Sequence, residues 1–402
     1  MTLLTASPPG DDGVGQVYNR DVLCQAPFDW LDCCAVLPSL DVRATQPAIV
    51  RNSLLVTRKS EFAFYPHRGC GLPSLGVYLI RLYPWAVQQA RSVLKFCHDH
   101  HSTELLAVLE SPQTILMADW IGRNSNLNIH SLVWDHPEHI VASFGHSGWT
   151  RRRLLAAFQR CLKRSASIIT VADSLRTCLQ RENPDVNCTS IRSPVSTCLP
   201  VVQTQQCNGG IFVIGMAGSI TAPEEFERLQ STLDACNWRV GGREIVLRLF
   251  GLRFVLSAKA KRNVQYCGFL PTTSDVIEAL SKCDACFLPQ PFDHSRRLVA
   301  EYSFPTKLST YFAAGRPVIV HAPATASVPV FLRSKSHSPI NDLLVTETEP
   351  QSLLSVLDPL VTDRKFYQSQ LDAVLEFCNN EFSESNCRER LLAHFQTTRL
   401  AG

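Results

Sequence analysis

The sequence is short of the features that mark several large classes of protein. Charged residues fill only 19% of its 402 positions, and a net charge of +3 is too small to suggest nucleic acid as a partner. No run of 18 or more apolar residues occurs, so no membrane-spanning helix is expected. No basic, then apolar, then small-residue leader opens the chain. The 16 cysteines are scattered, not spaced as a disulfide framework. A reducing, cytoplasmic location is therefore expected. There is no Walker loop, Gly-x-Ser-x-Gly elbow or His-Glu-x-x-His pair. Cys283-x-x-Cys286 lacks a second pair and straddles a predicted strand start, so no metal is expected there. His98, His100 and His101 crowd a helix end, where histidine commonly caps or faces water. No two carboxylates stand out as a hydrolase acid and base.

What is present is core material and alternation. Hydrophobic residues make up 45% of the chain, and its length suggests two domains or one large one. An apolar opening, MTLLTA, runs into a turn-rich loop with Gly10, Gly13 and Gly15. Strand, glycine loop and helix form the entry unit of a Rossmann-like domain, although the third glycine of a dinucleotide fingerprint is missing. The alternative is a tight turn before a helix. Further short apolar runs follow at 33–37, 52–56, 105–109 and 113–117, and a helical pattern covers 77–98, which Pro84 should kink or split. The strand ending at Trp134 carries Asp135 and His136 at its carboxyl end, where open α/β sheets bind ligands; Asp-x-Pro is equally a turn starter. Segment 149–165 reads as an amphipathic helix with six Lys and Arg and no acid, suited to an anionic membrane surface or simply to water. Asp173-Ser174 is expected to cap another helix. Around 183–210, Pro, Gly and Asn punctuate a stretch with few charges, a linker wrapped around one short strand.

A second α/β series begins at Ile211 and reaches Gly218-Ser219 at its first strand end. Its most structured passage is 301–323, EYSFPTKLSTYFAAGRPVIVHAP, preceded by a loop expected over 290–302. Ser303 is a possible N-cap and Pro305 suits a helix start. Leu308, Tyr311 or Phe312 share one apolar face, Gly315 supplies a left-handed stop, and Pro317-Val-Ile-Val reads as a strand. The free N–H groups of Thr306 and Lys307, with the Lys307 charge, favour an anion; the alternative is an ordinary helix start with an incidental lysine. Two such halves are expected to face a cleft, which suits joining a nucleotide-activated donor to an acceptor.

The run Phe304-Pro-Thr-Lys-Leu-Ser-Thr-Tyr-Phe-Ala-Ala-Gly-Arg-Pro-Val-Ile resembles the donor-site segment of GT-B glycosyltransferases, especially glycosyltransferase family 4. Cys283-Asp-Ala-Cys-Phe-Leu-Pro289, Met216-Ala-Gly-Ser219, Ile169-Thr-Val-Ala-Asp-Ser174 and the loop at Gly13 and Gly15 resemble other parts of that family more loosely. The resemblance implies an α/β, GT-B architecture of two Rossmann-like parallel-sheet domains. It implies an acceptor-binding domain over 1–192, a linker over 193–210 and a nucleotide-sugar-binding domain over 211–375. A C-terminal helix over 376–402 is expected to pack back on the first domain. It implies transfer of a sugar, with retention, from a nucleoside diphosphate sugar to a glycan, lipid or small-molecule acceptor, without metal or other cofactor. Gly218, Ser219, Ser303, Phe304, Pro305, Thr306 and Lys307 would border the donor, with Arg253, Arg296 and Arg297 as further cations. Asp135 or His136 would serve the reacting side, and Gly13 and Gly15 the acceptor loop. The chain departs from the family at three places: Thr310 and Tyr302 stand where it has a Glu-x7-Glu pair, and Ser219 stands where it has arginine. Threonine offers one hydroxyl where a carboxylate would hold two ribose hydroxyls. A catalytically impaired sugar- or partner-binding protein and a sugar-nucleotide epimerase are therefore the alternatives. In location, the alternative to a free cytoplasmic protein is one held on the inner face of the membrane through 149–165.

Overall fold

Short apolar runs with polar breaks between them become parallel strands covered by helices. The structure, a computed structural model, describes residues 1–11, 13–28, 31–37, 49–57, 75–76, 78–196, 210–251, 262–335 and 339–400. It divides into two units, Met1–Arg192 with Cys387–Gly402, and Ser193–Asn386.

The described residues of the first unit include seven parallel strands: β1 (Thr2–Thr5), β2 (Leu31–Leu37), β3 (Val50–Thr57), β4 (Glu104–Val108), β5 (Asn128–Val133), β6 (Ser167–Thr170) and β7 (Asn187–Ser190). Their order is β3-β2-β1-β4-β5-β6-β7. The chain therefore steps outward from β1 to β3 and then crosses back to β4. That reversal opens a crevice over the carboxyl ends of β1 and β4. The helices are α1 (Val14–Leu23), α2 (Tyr83–Asp99), α3 (Pro112–Asn124), α4 (Pro137–Ser143), α5 (Gly148–Arg164) and α6 (Asp173–Glu182). The apolar run at 113–117 lies in α3, not in a strand, because Ser111 caps the helix ahead of it and Thr114, in its first turn, closes the capping box. Pro84 occupies the first turn of α2, where it costs no hydrogen bond, and a π-helical turn, Tyr78–Leu82, precedes it. Ala172, not Asp173, is the N-cap of α6. The Asp173 carboxylate instead pairs with Arg192.

The second unit repeats the plan with β8 (Ile211–Ala217), β9 (Arg239–Val240), β10 (Arg243–Phe250), β11 (Val264–Gly268), β12 (Ala285–Pro289), β13 (Val318–His321) and β14 (Leu344–Val345). Strand order is β11-β10-β8-β12-β13-β14, with β9 antiparallel on β10. Its reversal lies between β8 and β12. Period-two alternation divides the core: Phe212, Ile214, Met216, Ala285, Phe287 and Ile319 pack on one face of the sheet, and Cys286, Leu288, Val318 and Val320 on the other. Its helices are α7 (Pro223–Ala235), α8 (Thr273–Ser281), α9 (Arg297–Tyr302), α10 (Lys307–Ala313), α11 (Ser327–Lys335), α12 (Pro350–Thr362) and α13 (Arg364–Glu381). Helix α9 and a 3-10 turn, His294–Arg296, replace the loop expected over 290–302. Cys283 and Cys286 are core residues, and burial pushes the Cys283 thiol up to about 12, so it stays protonated. Of the described cysteines, twelve are free thiols and Cys378 is disulfide-bonded, which is no disulfide scaffold.

A last helix, α14 (Glu384–Leu400), starts in the second unit, and from Cys387 its residues belong to the first. There, buried His394 lies in a polar chain: Ser167 Oγ is 2.7 Å from its Nε2 and 2.7 Å from His130 Nδ1, and Thr189 Oγ1 is 2.9 Å from its Nδ1. Burial pushes His394 down to about 4, so it is neutral at pH 7.

Candidate active site

Each unit has its own crevice at the reversal of strand order. In the second unit, β8 delivers Gly218 and Ser219, both exposed, into this place. Gly218 has φ +76° and touches Gly251, so the turn needs residues without a Cβ. Helix α10 carries Lys307 to the same point. Its Nζ donates to the Ser219 carbonyl, and its Cε would lie 3.0 Å from a Cβ on Gly218. Burial lowers the Lys307 pKa to about 8. Arg296 Nη1 donates to the Thr221 carbonyl at 3.1 Å, placing a second cation on the loop that follows β8. Arg297 lies 3.6 Å from Glu301, an ion pair of its own. Arg253 lies outside the described residues.

Helix α10 is held there by its buried face. Leu308, Tyr311 and Phe312 are fully buried, and Phe312 packs against Phe377 and Phe382 at 5.4 and 5.8 Å between ring centroids. The Tyr311 hydroxyl accepts from the Ala217 N–H at 2.8 Å and lies 3.3 Å from the Ala217 carbonyl, pinning the last residue of β8. Gly315 adopts φ +65° and stops the helix. Ser303 does not cap α10; it ends α9, and its carbonyl accepts from Ser327 Oγ. Thr306 is the residue before α10, with no side-chain cap bond. Phe304 packs edge-on to Phe331 at 5.3 Å, and Pro305 offers its carbonyl to the Leu308 N–H. Thr310 lies within α10, its carbonyl bonded to the Ala314 N–H.

In the first unit the crevice centres on a residue that the motif reading passed over. Glu110 stands two residues past β4. Its Oε1 accepts from Thr5 Oγ1 and the Ala6 N–H, both at 2.6 Å, and its Oε2 accepts from Ser7 Oγ at 2.6 Å. The carboxylate thus pins the chain as it leaves β1 for the glycine loop. Burial still raises its pKa, against those hydrogen bonds. A lone carboxylate just beyond an apolar run, followed by Ser-Pro, was the available signal. Gly13 is the N-cap of α1 at φ +105°. Gly15 has a packing reason to be glycine: a Cβ there would lie 2.7 Å from the Trp134 ring and 2.9 Å from Ser7 Oγ. Asp135 and His136 sit one strand further out, past β5. His136 Nδ1 accepts from the Glu138 N–H at 3.3 Å, capping α4, and burial keeps the ring neutral at pH 7 by lowering its pKa.

No protein-family profile matches the sequence, and no curated protein matches it. Solved structures do match. HepE of Anabaena, in complex with UDP and glucose, superposes with a TM-score of 0.64 at 13% identity, over 98% of this chain and 99% of that one. Sucrose-phosphate synthase of Thermosynechococcus elongatus gives 0.67 at 11% identity over 100% of both chains. The lipopolysaccharide outer core galactosyltransferase WaaB gives 0.62 at 10% identity, over 100% of this chain and 99% of that one. Strand order within each unit and similarity along the full chain together show that the protein has the GT-B fold.

Proposed function

We propose that the protein transfers a sugar from a nucleoside diphosphate sugar to an acceptor. The observation that carries this is Lys307. It is a half-buried cation at the strand-order reversal of the second unit, set against the exposed Gly218–Ser219 turn, where a diphosphate can lie. Arg296, which reaches the Thr221 carbonyl of that loop from the 3-10 turn before α9, is the second cation. Together they supply from other elements the charge that family 4 carries after its first donor-domain strand. HepE and a trehalose-6-phosphate enzyme of E. coli, both of this fold, are complexed with UDP-glucose and UDP-2-fluoro-glucose. In this reading Gly218, Ser219, Thr306, Lys307 and Thr310 border the donor, and the loop pinned by Glu110 borders a glycan or lipid-linked acceptor. Transfer with retention and without metal follows from the family resemblance; a cytoplasmic site of action is the expectation drawn from the scattered cysteines.

A calorimetric panel of UDP-, GDP-, ADP- and TDP-sugars tests the proposal. One of them should bind, and free nucleotide should form when acceptor is supplied. Binding to none of the panel refutes it. Tyr302 and Thr310, in place of two carboxylates, favour a second reading, a nucleotide-sugar-binding protein without turnover. Binding of a donor with no nucleotide release across an acceptor panel, lipid-linked glycans included, would select that reading.

A further inference from the structure

The first unit carries an exposed apolar cluster that donor binding does not use. Ile80 is 77% exposed and Leu79 51%, both in the π-helical turn before α2. Trp149, in the first turn of α5, is 40% exposed, and its ring meets Tyr78 edge-on at 5.6 Å. The two helix starts therefore form one patch. Three arginines border it. Arg153 lies over the Trp149 ring at 4.5 Å, and Arg81 and Arg152 are exposed and pair with no acid among the described residues. Arg151, by contrast, is paired with Glu138 at 3.0 Å. Neither 78–98 nor 148–165 contains an acidic residue. In a parallel sheet with helical crossovers, helices begin at the carboxyl ends of the strands. The patch is thus on the crevice side of the first unit's sheet. Large apolar side chains standing out of a cationic rim match the interfacial layer of an anionic bilayer: the chains enter the headgroup boundary and the arginines meet lipid phosphates.

We propose that Leu79, Ile80 and Trp149, bordered by Arg81, Arg152 and Arg153, dock the first unit on an anionic membrane surface. The docking stands on this patch and not on sugar transfer, so it is tested without nucleotide. The full chain is sedimented with vesicles of phosphatidylcholine alone and of phosphatidylcholine with phosphatidylglycerol. The wild type should bind the anionic vesicles at low salt, weaken as salt rises, and leave neutral vesicles largely unbound. Arg152→Glu should lower the partition constant at least about fivefold, since each arginine near such a surface contributes about that factor. Ile80→Ser should lower it about tenfold through lost apolar burial. Both residues are exposed, and an unchanged melting temperature verifies the fold of each variant. Three outcomes overturn the proposal: no binding to anionic vesicles at low salt, binding that ignores lipid charge, or variants that bind as the wild type does. A concentration-dependent dimer in sedimentation velocity, abolished by Ile80→Ser in the absence of vesicle binding, would assign the patch to a second copy of the chain instead.

Discussion

If Lys307 meets the donor diphosphate, donor affinity must depend on pH in a calculable way. The lysine titrates at about 8 in the free protein, against an ordinary 10.5, because burial disfavours its charge. A diphosphate beside Nζ restores that charge. At pH 7 about 90% of the lysine is an ammonium, and at pH 9 about 10%, for a group titrating at about 8. Binding that requires the ammonium should therefore weaken about tenfold between those pH values, about 1.4 kcal/mol. The diphosphate diester of the donor has no proton of its own to exchange there. Calorimetry in buffers of different ionisation enthalpy should thus find close to one proton taken up per donor at pH 9 and about 0.1 at pH 7. Lys307→Met should abolish both the slope and the uptake. Stability moves the opposite way. The folded-state pKa lies below the unfolded one, so the folded protein holds fewer protons between about 8 and 10.5, and the ligand-free protein gains stability as pH rises through that window. The gain is at most about 3 kcal/mol by linkage, and smaller because water screens a half-buried ammonium. Wild-type affinity that stays flat from pH 7 to 9, or a slope that survives Lys307→Met, would show that Lys307 does not face the phosphates.

Other expectations concern how the two crevices are held. Gly15→Ala should lower stability by about 1–3 kcal/mol, because the added methyl meets the Trp134 ring; the usual helix-forming gain of about 1 kcal/mol is smaller. A stabilised variant in urea denaturation would contradict this packing. Glu110→Gln keeps the shape but puts an NH2 where one carboxylate oxygen accepted, so a donor from Ser7 or Thr5 loses its partner, at about 1–3 kcal/mol. Its loss should also raise acceptor KM more than it changes donor affinity; equal effects on both would argue against a role confined to the glycine loop. Tyr311→Phe leaves the Ala217 N–H buried without its acceptor. It should cost about 1–2 kcal/mol in thermal unfolding and weaken donor binding through the loosened Gly218 turn.

Local pattern made much of this legible. Apolar runs of strand length located β1, β2, β4, β8, β12 and β13. The left-handed stop at Gly315 follows from a glycine between an apolar helix face and a strand, and φ there is +65°. The loop, helix and strand around Lys307 were recognisable because their residues are neighbours in the chain. What failed was equally local in cause. The segment 290–302 looked like a loop because Pro289, Gln290 and Pro291 break any pattern, yet Arg297–Tyr302 folds as a helix whose Ala300 is buried. Ser303 looked like a cap because it precedes Pro305, but it closes that earlier helix.

The sequence by itself determined most of the elements, their α/β alternation and the run around Lys307 that resembles a family segment, since each depends on side chains within a turn or two of one another. Tertiary structure alone decided which strand ends meet. It brought Glu110 to Thr5 across 105 positions and Lys307 to Ser219 across 88. It also left Leu79 and Ile80 in solvent beside Trp149. The reason is that strand order, set by how the helices cover both sheet faces, chooses these neighbours, and no periodicity within one segment encodes that order.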